Sequence, residues 1–125
     1  MTLQECLDLV DEMKPNMMKR PLKLKYLTEI EQLIHAEILM RHEHEEEQET
    51  VPAYSEQTDP GTVLIVPDPY SMVYIYWIMS KIDIQNQEDA RYNIDRQYFE
   101  NAYDTMSDWW TRTYMPIRQV REFLL

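Results

Sequence analysis

Asp68-Pro69-Tyr70-Ser71-Met72-Val73-Tyr74-Ile75-Tyr76-Trp77-Ile78-Met79-Ser80-Lys81-Ile82-Asp83-Ile84 is the stretch that decides the fold. Asp68 suits an N-cap and Pro69 a first helical position, so a helix start is expected there. From Tyr70 to Ile84, apolar side chains fall on nearly every face of that helix. A helix that is apolar all round must be covered on all sides. A domain of 125 residues has little material to enclose one, so part of this surface is expected to meet another subunit or protein. Tyr70, Tyr74 and Trp77 on it, with Trp110 further along, are the expected subunit-interface residues. Tyr and Trp carry an apolar body and a polar tip, which suits interfaces.

Working outward, the rest of the chain also reads as helix. Thr2 with Glu5 forms a capping box, and Leu3, Cys6, Leu7, Val10 and Met13 recur at helical spacing until Pro15 stops them. A second helix starts near Pro21, with an apolar stripe of Leu24, Leu27, Ile30, Leu33/Ile34 and Ile38. Glu29, Glu31 and Glu37 lie off that stripe and are expected on a solvated face. Gln85-Asn86-Gln87 signals a turn. A last helix runs from about Glu88 to Tyr114 on a stripe of Ile94, Tyr98, Ala102, Met106 and Trp109, widened by Phe99, Tyr103 and Trp110. A single glycine in the whole chain argues against turn-rich sandwiches and barrels. The expected fold is all-α: a small bundle of about four helices over residues 1–116, with a long acidic loop and an extended C-terminal tail at 117–125.

Charge is segregated. Lys14, Lys19, Arg20, Lys23 and Lys25 form a basic stretch, while residues 43–62 carry seven carboxylates and no Lys or Arg. With Pro52, Pro60 and Gly61 the latter reads as a long exposed loop. Val63-Leu64-Ile65-Val66 after it is either a brief extended segment or a loop anchor. The net charge of -11 repels free nucleic acid and anionic lipid. No run of about 18 apolar residues offers a membrane span, and Met1–Glu5 lacks the basic start of a signal peptide. One cysteine excludes an intrachain disulfide, and a reducing compartment fits.

A search for chemistry finds no catalytic centre. His35, His42 and His44 stand where the second helix gives way to the acidic loop. The helix dipole favours cations at that end, which explains them without a metal. Glu45-Glu46-Glu47 lacks the spacing and glycine of a calcium loop. Cys6 lies on an apolar stripe, as a small core residue does. One glycine permits no phosphate loop, and no nucleophile elbow, zinc-protease motif or redox pair is present. The aromatic runs Tyr74–Trp77 and Trp109-Trp110 have acidic rather than basic neighbours, unlike a base-stacking platform. No enzyme, cofactor or metal is therefore expected. The remaining enzyme reading is a metal-dependent one using those histidines with nearby glutamates.

Several segments in order carry a resemblance. They are the first helix ending Met13-Lys14-Pro15-Asn16, the Tyr26–Ile38 helix with its Glu-rich end, and Val66-Pro67-Asp68-Pro69-Tyr70 with the aromatic helix through Trp77 and Asp83. Ala90-Arg91-Tyr92-Asn93, Phe99-Glu100-Asn101-Ala102-Tyr103 and Trp110-Thr111-Arg112 continue it. Over residues 2–116 the chain resembles the small head–tail connector (adaptor) proteins of tailed bacteriophages and prophages. The resemblance implies a helical bundle that assembles into a homo-oligomeric ring, commonly twelve-fold, beneath the portal protein in the virion neck. DNA would pass through the ring without specific binding. Tail or neck proteins would be further partners, and assembly would take place in the host cytoplasm. It implies no catalytic residues. Extended termini in that family dock on the portal or a neighbour, which gives Arg118, Arg121, Phe123, Leu124 and Leu125 a docking role. The opposed charge of residues 14–25 and 43–62 also suits head-to-tail contact around a ring. A rival reading from the charge is an acidic soluble binding module, such as a phage-encoded inhibitor that mimics nucleic acid.

Overall fold

A computed structural model describes residues 1–117. Four helices make the bundle: α1 (Leu3–Met13), α2 (Arg20–Glu37), α3 (Met72–Gln85) and α4 (Asp89–Thr113). Single 3-10 turns at Leu39–Arg41 and Glu46–Glu49 interrupt the crossing from α2 to α3. Among the described residues there is no strand, only isolated bridges Thr2–Val63 and His42–Pro116.

The start of α1 follows the sequence. The Glu5 amide donates to Thr2 Oγ1 at 3.2 Å, and the Thr2 amide donates to Glu5 Oε2 at 3.4 Å. Two further amides of its first turn, Leu3 and Gln4, donate to the carbonyls of Thr62 and Pro60 at 2.8 and 3.1 Å. Two of the otherwise unpaired donors of the helix start, with the Leu64 amide donating to Met1 O at 3.0 Å, thus fasten residues 60–64 onto α1. Leu64 and Val66 are buried, so the apolar run 63–66 is a loop anchor.

The α3 helix is the axis of the bundle, and α1, α2 and α4 all pack on it. Val73, Tyr74, Ile75, Ile78 and Ile82 have no exposed surface. Three helices and the 63–66 anchor thus enclose most of this helix, while Met72, Tyr76 and Met79 stay half-buried and Ile84 is exposed. The helix also begins later than the Asp68-Pro69 signal suggests. Ser71 occupies the cap position, and the chain turns before it, with the Tyr70 amide donating to the Pro67 carbonyl at 3.0 Å. Asp68 accepts instead from the Ser71 hydroxyl.

The turn from α3 to α4 falls on Gln85-Asn86-Gln87, as the sequence indicates. Gln87 is left-handed at φ 57°. Its amide donates to Ile84 O at 3.1 Å and the Glu88 amide donates to Asp83 O at 2.9 Å, which is the Schellman arrangement. Glycine normally fills this position; here a glutamine bears the cost of the left-handed backbone.

Three expected positions are corrected. Glu31 is fully buried rather than solvated. On α4 the core stripe is Asp95, Phe99, Met106 and Trp110, whereas Ile94 and Tyr98 are about half exposed at 49% and 51%. The acidic segment is exposed in most of its length but is tied to α2 by one face. Tyr54 N donates to Thr28 Oγ1 at 3.0 Å, Gln32 Nε2 donates to Pro52 O at 3.0 Å, and His35 Nε2 lies 2.7 Å from Gln48 O. Thr28, Glu31, Gln32 and His35 stand at the three- and four-residue spacing that aligns side chains along a helix.

Glu31 joins these parts. Its Oε1 accepts from the Tyr74 hydroxyl at 2.5 Å, and its Oε2 accepts from the Tyr54 hydroxyl at 2.8 Å and the Ile65 amide at 3.0 Å. The Tyr74 oxygen in turn accepts from the Val66 amide at 2.8 Å. Tyr74→Phe would leave Glu31 and the Val66 amide each short of a buried partner. Urea denaturation should show a loss of about 1–3 kcal/mol; a neutral substitution would mean that water replaces the hydroxyl. Gln87→Gly should leave the fold intact and change stability by no more than about 1 kcal/mol in the stabilising direction, measured in the same way.

Candidate functional site

Of the four aromatic side chains expected at a subunit interface, three face inward. Tyr74 has no exposed surface and its hydroxyl is held by Glu31. Trp77 is 8% exposed; its indole N–H donates to Tyr26 O at 3.1 Å, and Lys81 Nζ at 4.3 Å and the Arg96 guanidinium at 5.5 Å lie over its ring. Trp110 is 4% exposed and edges onto Trp109 at 5.6 Å. The assignment of these three to an interface is corrected: the chain's own core takes them up. Tyr70 is half-buried and stacks on Trp109 at 4.9 Å, so it alone of the four presents an edge to the surface.

The surface that remains open lies one helical face further round. Tyr70, Met72, Tyr76, Tyr98 and Ala102 line a shallow groove of about 270 Å³ between α3 and α4. Tyr76 and Tyr98 meet at 5.4 Å across it. Ile94, one turn before Tyr98, extends the apolar strip toward the start of α4. The residues that sequence reasoning missed here, Ile94 and Tyr98 as surface groups, were hidden because they fit an apolar stripe as well as the true one. The signal that could have separated the two stripes was Asp95, which is brought inside by Asp83 and Lys14.

The basic stretch is largely used within the chain. Lys14 pairs with Asp83 at 2.6 Å and with Glu88 at 2.8 Å, Lys23 pairs with Asp11 at 2.5 Å, and Arg20 donates to Gln4 Oε1 at 2.8 Å. Among the described residues only Lys19 and Lys25 of the five are exposed without such a pair. The expected basic patch is thus reduced, and the surface is more uniformly acidic than the sequence suggests. A second cleft of about 600 Å³ lies between the acidic segment and the end of α4, bounded by Glu43, Glu45, Ile65, Trp110 and Tyr114. Among the described residues the buried indole N–H of Trp110 has no partner.

The histidines are structural rather than solvated. His35 and His42 are buried. His42 Nδ1 is 2.7 Å from Ile38 O and Nε2 is 3.3 Å from Thr111 Oγ1, so it ties the end of α2 to α4. His44 lies against the His42 carbonyl and Glu49, and both hold its imidazolium above the ordinary range. Among the described residues no group of three or more His, Cys, Asp or Glu side chains could hold a metal ion. Burial, with the Glu31 charge nearby, pushes the Cys6 thiol up to about 12, so it packs as an inert core group. No helix among the described residues is long and apolar enough to cross a membrane. Arg118, Arg121, Phe123, Leu124 and Leu125 lie outside the described residues.

Comparison with protein-family models, with curated proteins and with solved structures finds no match to this chain.

The inward and outward aromatics separate by stability. Trp77→Ala should cost about 3–5 kcal/mol, while Tyr98→Ser should change stability by no more than about 0.5 kcal/mol. Equal losses in chemical denaturation would place Tyr98 in the core and remove the groove as a surface.

Proposed function

We propose that this protein is a structural component of a tailed-phage virion, a head–tail connector that forms a homo-oligomeric ring between portal and tail. The observation that carries assembly is the open apolar strip of Ile94, Tyr98, Tyr76 and Tyr70 along α3 and α4. Exposed aromatic surface flanked by charge is what a subunit contact uses. The name of the assembly rests on the resemblance of residues 2–116. A net charge of -11 fits a channel wall, because tight phosphate contacts would hold DNA that must pass. In this reading the ring is twelve-fold in the virion neck, the protein has no catalytic role, and Arg118, Arg121, Phe123, Leu124 and Leu125 dock on the portal or a neighbouring subunit.

A second reading has its own observation. Because Lys14, Lys23 and Arg20 are occupied internally, the outer face suits an acidic module that competes with nucleic acid for a basic protein.

Electron microscopy of the purified chain mixed with the portal protein encoded in the same genome separates the two. The connector reading expects rings capping the portal, lost in Tyr98→Glu and in a chain truncated after Pro116, with helical content unchanged by circular dichroism. A mixture in which the chain stays free of the portal would overturn it, and capture of a nucleic-acid-binding protein by the free monomer would favour the second reading.

A further inference from the structure

Where α1 ends and α3 turns into α4, three carboxylates gather around one ammonium. Lys14 Nζ lies 2.6 Å from Asp83 Oδ1 and 2.8 Å from Glu88 Oε2. Asp83 has no exposed surface and Asp95 is 6% exposed. Among the described residues neither oxygen of Asp83 has a hydrogen-bond donor of good geometry, so its contact with Lys14 is an ion pair by distance alone. An open cavity of about 390 Å³ bounded by Met79, Lys14, Glu88, Arg91 and Asp95 adjoins the cluster. The charged groups facing Asp95 are Asp83 from α3, Lys14 from the end of α1 and Arg91 from α4, with Glu88 across the same cavity.

A wholly buried carboxylate calls for donors. Lys14 and Arg91 bring two positive charges against the three carboxylates of Asp83, Asp95 and Glu88. Two neighbouring carboxylates in a poorly hydrated site do not both ionise readily. A protonated Asp95 removes both difficulties, since its O–H can donate to Asp83 and one negative charge disappears. We propose that Asp83 and Asp95 share one proton, and that this proton latches the first turns of α4 to α3 and, through Lys14, to the end of α1. Loss of the proton loosens that corner of the bundle.

The direction of the pH dependence follows. Burial first, and the Asp83 carboxylate second, push Asp95 up from 3.8 to about 7, against the pull of Lys14 and Arg91. Between those values the folded chain holds a proton that the unfolded chain has released. Stability therefore falls as pH rises through this window and levels off above it. A full proton difference would raise the unfolding constant tenfold per pH unit. The pair borders an open cavity, so solvent screening shrinks the shift and the rise is roughly two- to fivefold per pH unit.

The test compares the full-length chain with Asp95→Asn in urea denaturation from pH 5 to pH 8.5. Hydrogen exchange at the amides of residues 89–94 is followed over the same range. The Asn amide can donate to Asp83 as the protonated acid does. The wild type should lose stability and exchange faster toward pH 8, whereas Asp95→Asn should lack that slope. Equal slopes in the two proteins overturn the latch. If the variant does not fold, a carbon-13 titration of the wild-type carboxyls decides: an Asp95 midpoint near 7 supports the proposal, and one near 4 defeats it.

Discussion

A single buried carboxylate organises the bundle. Glu31 has no contact with solvent, and burial raises its affinity for a proton against the pull of its three donors and of His35. Those donors come from three places: Tyr74 on α3, Tyr54 in the acidic segment and the Ile65 amide in the anchor before α3. The consequence is rotational. A helix that is apolar on nearly every face has no hydrophobic preference for one orientation about its axis. The Tyr74 hydroxyl and the Trp77 indole N–H each have one place where they can be satisfied, and Asp83 meets its Lys14 cation in one orientation only. Polar groups thereby give α3 a register that its hydrophobicity does not supply, the use for buried polar groups that is best attested. Removing any one donor leaves a charge in a low-dielectric interior, where an incomplete network is costly.

That dependence explains what could be read from the sequence. The Thr2–Glu5 box, the stop at Pro15, the turn at 85–87 and the four-helix count rest on local chemistry, and local chemistry is visible in a string of residues. The largest errors involve a polar side chain whose partner is far away in the chain. Glu31 looked solvated because Tyr74 is 43 residues distant. On α4 the stripe holds at Met106 but places Ile94 and Tyr98 inward, where Asp95 and Phe99 are buried instead. Hydrophobic periodicity assigns every charge to the surface, so it fails wherever charges are paired inside. The same blindness inflated the interface at Tyr74, Trp77 and Trp110. Their polar tips suggested half-burial at a contact with another chain, yet Glu31 and the Tyr26 carbonyl satisfy two of those tips within this one.

The internal pairing also redistributes charge. Lys14 and Lys23 act on buried or neighbouring carboxylates rather than on solvent. The basic stretch that appears between Lys14 and Lys25 in the sequence does not survive as a patch. What folding leaves outside is an acidic surface, interrupted by the apolar strip on α3 and α4. A helical bundle by itself carries no function. The inference toward assembly therefore rests on that strip, which lies at positions other than the aromatic residues that first suggested an interface.

The two buried acidic centres differ in how completely they are satisfied, and the difference assigns them different work. Glu31 has three hydrogen-bond donors, which hold its charge in a fixed place. Among the described residues Asp83 has one cation and no donor of good geometry, with a second carboxylate beside it and a cavity alongside. A saturated network resists change, because any new proton or water must displace an existing bond. An undersupplied one responds to the missing partner, and for a pair of carboxylates that partner is a proton. Glu31 sits where α2, the loop and α3 must stay in register. The Asp83–Asp95 pair sits at the turn between α3 and α4, at the end of the bundle where the core is bounded by a cavity. Rigidity lies at the centre of the fold and responsiveness at its corner.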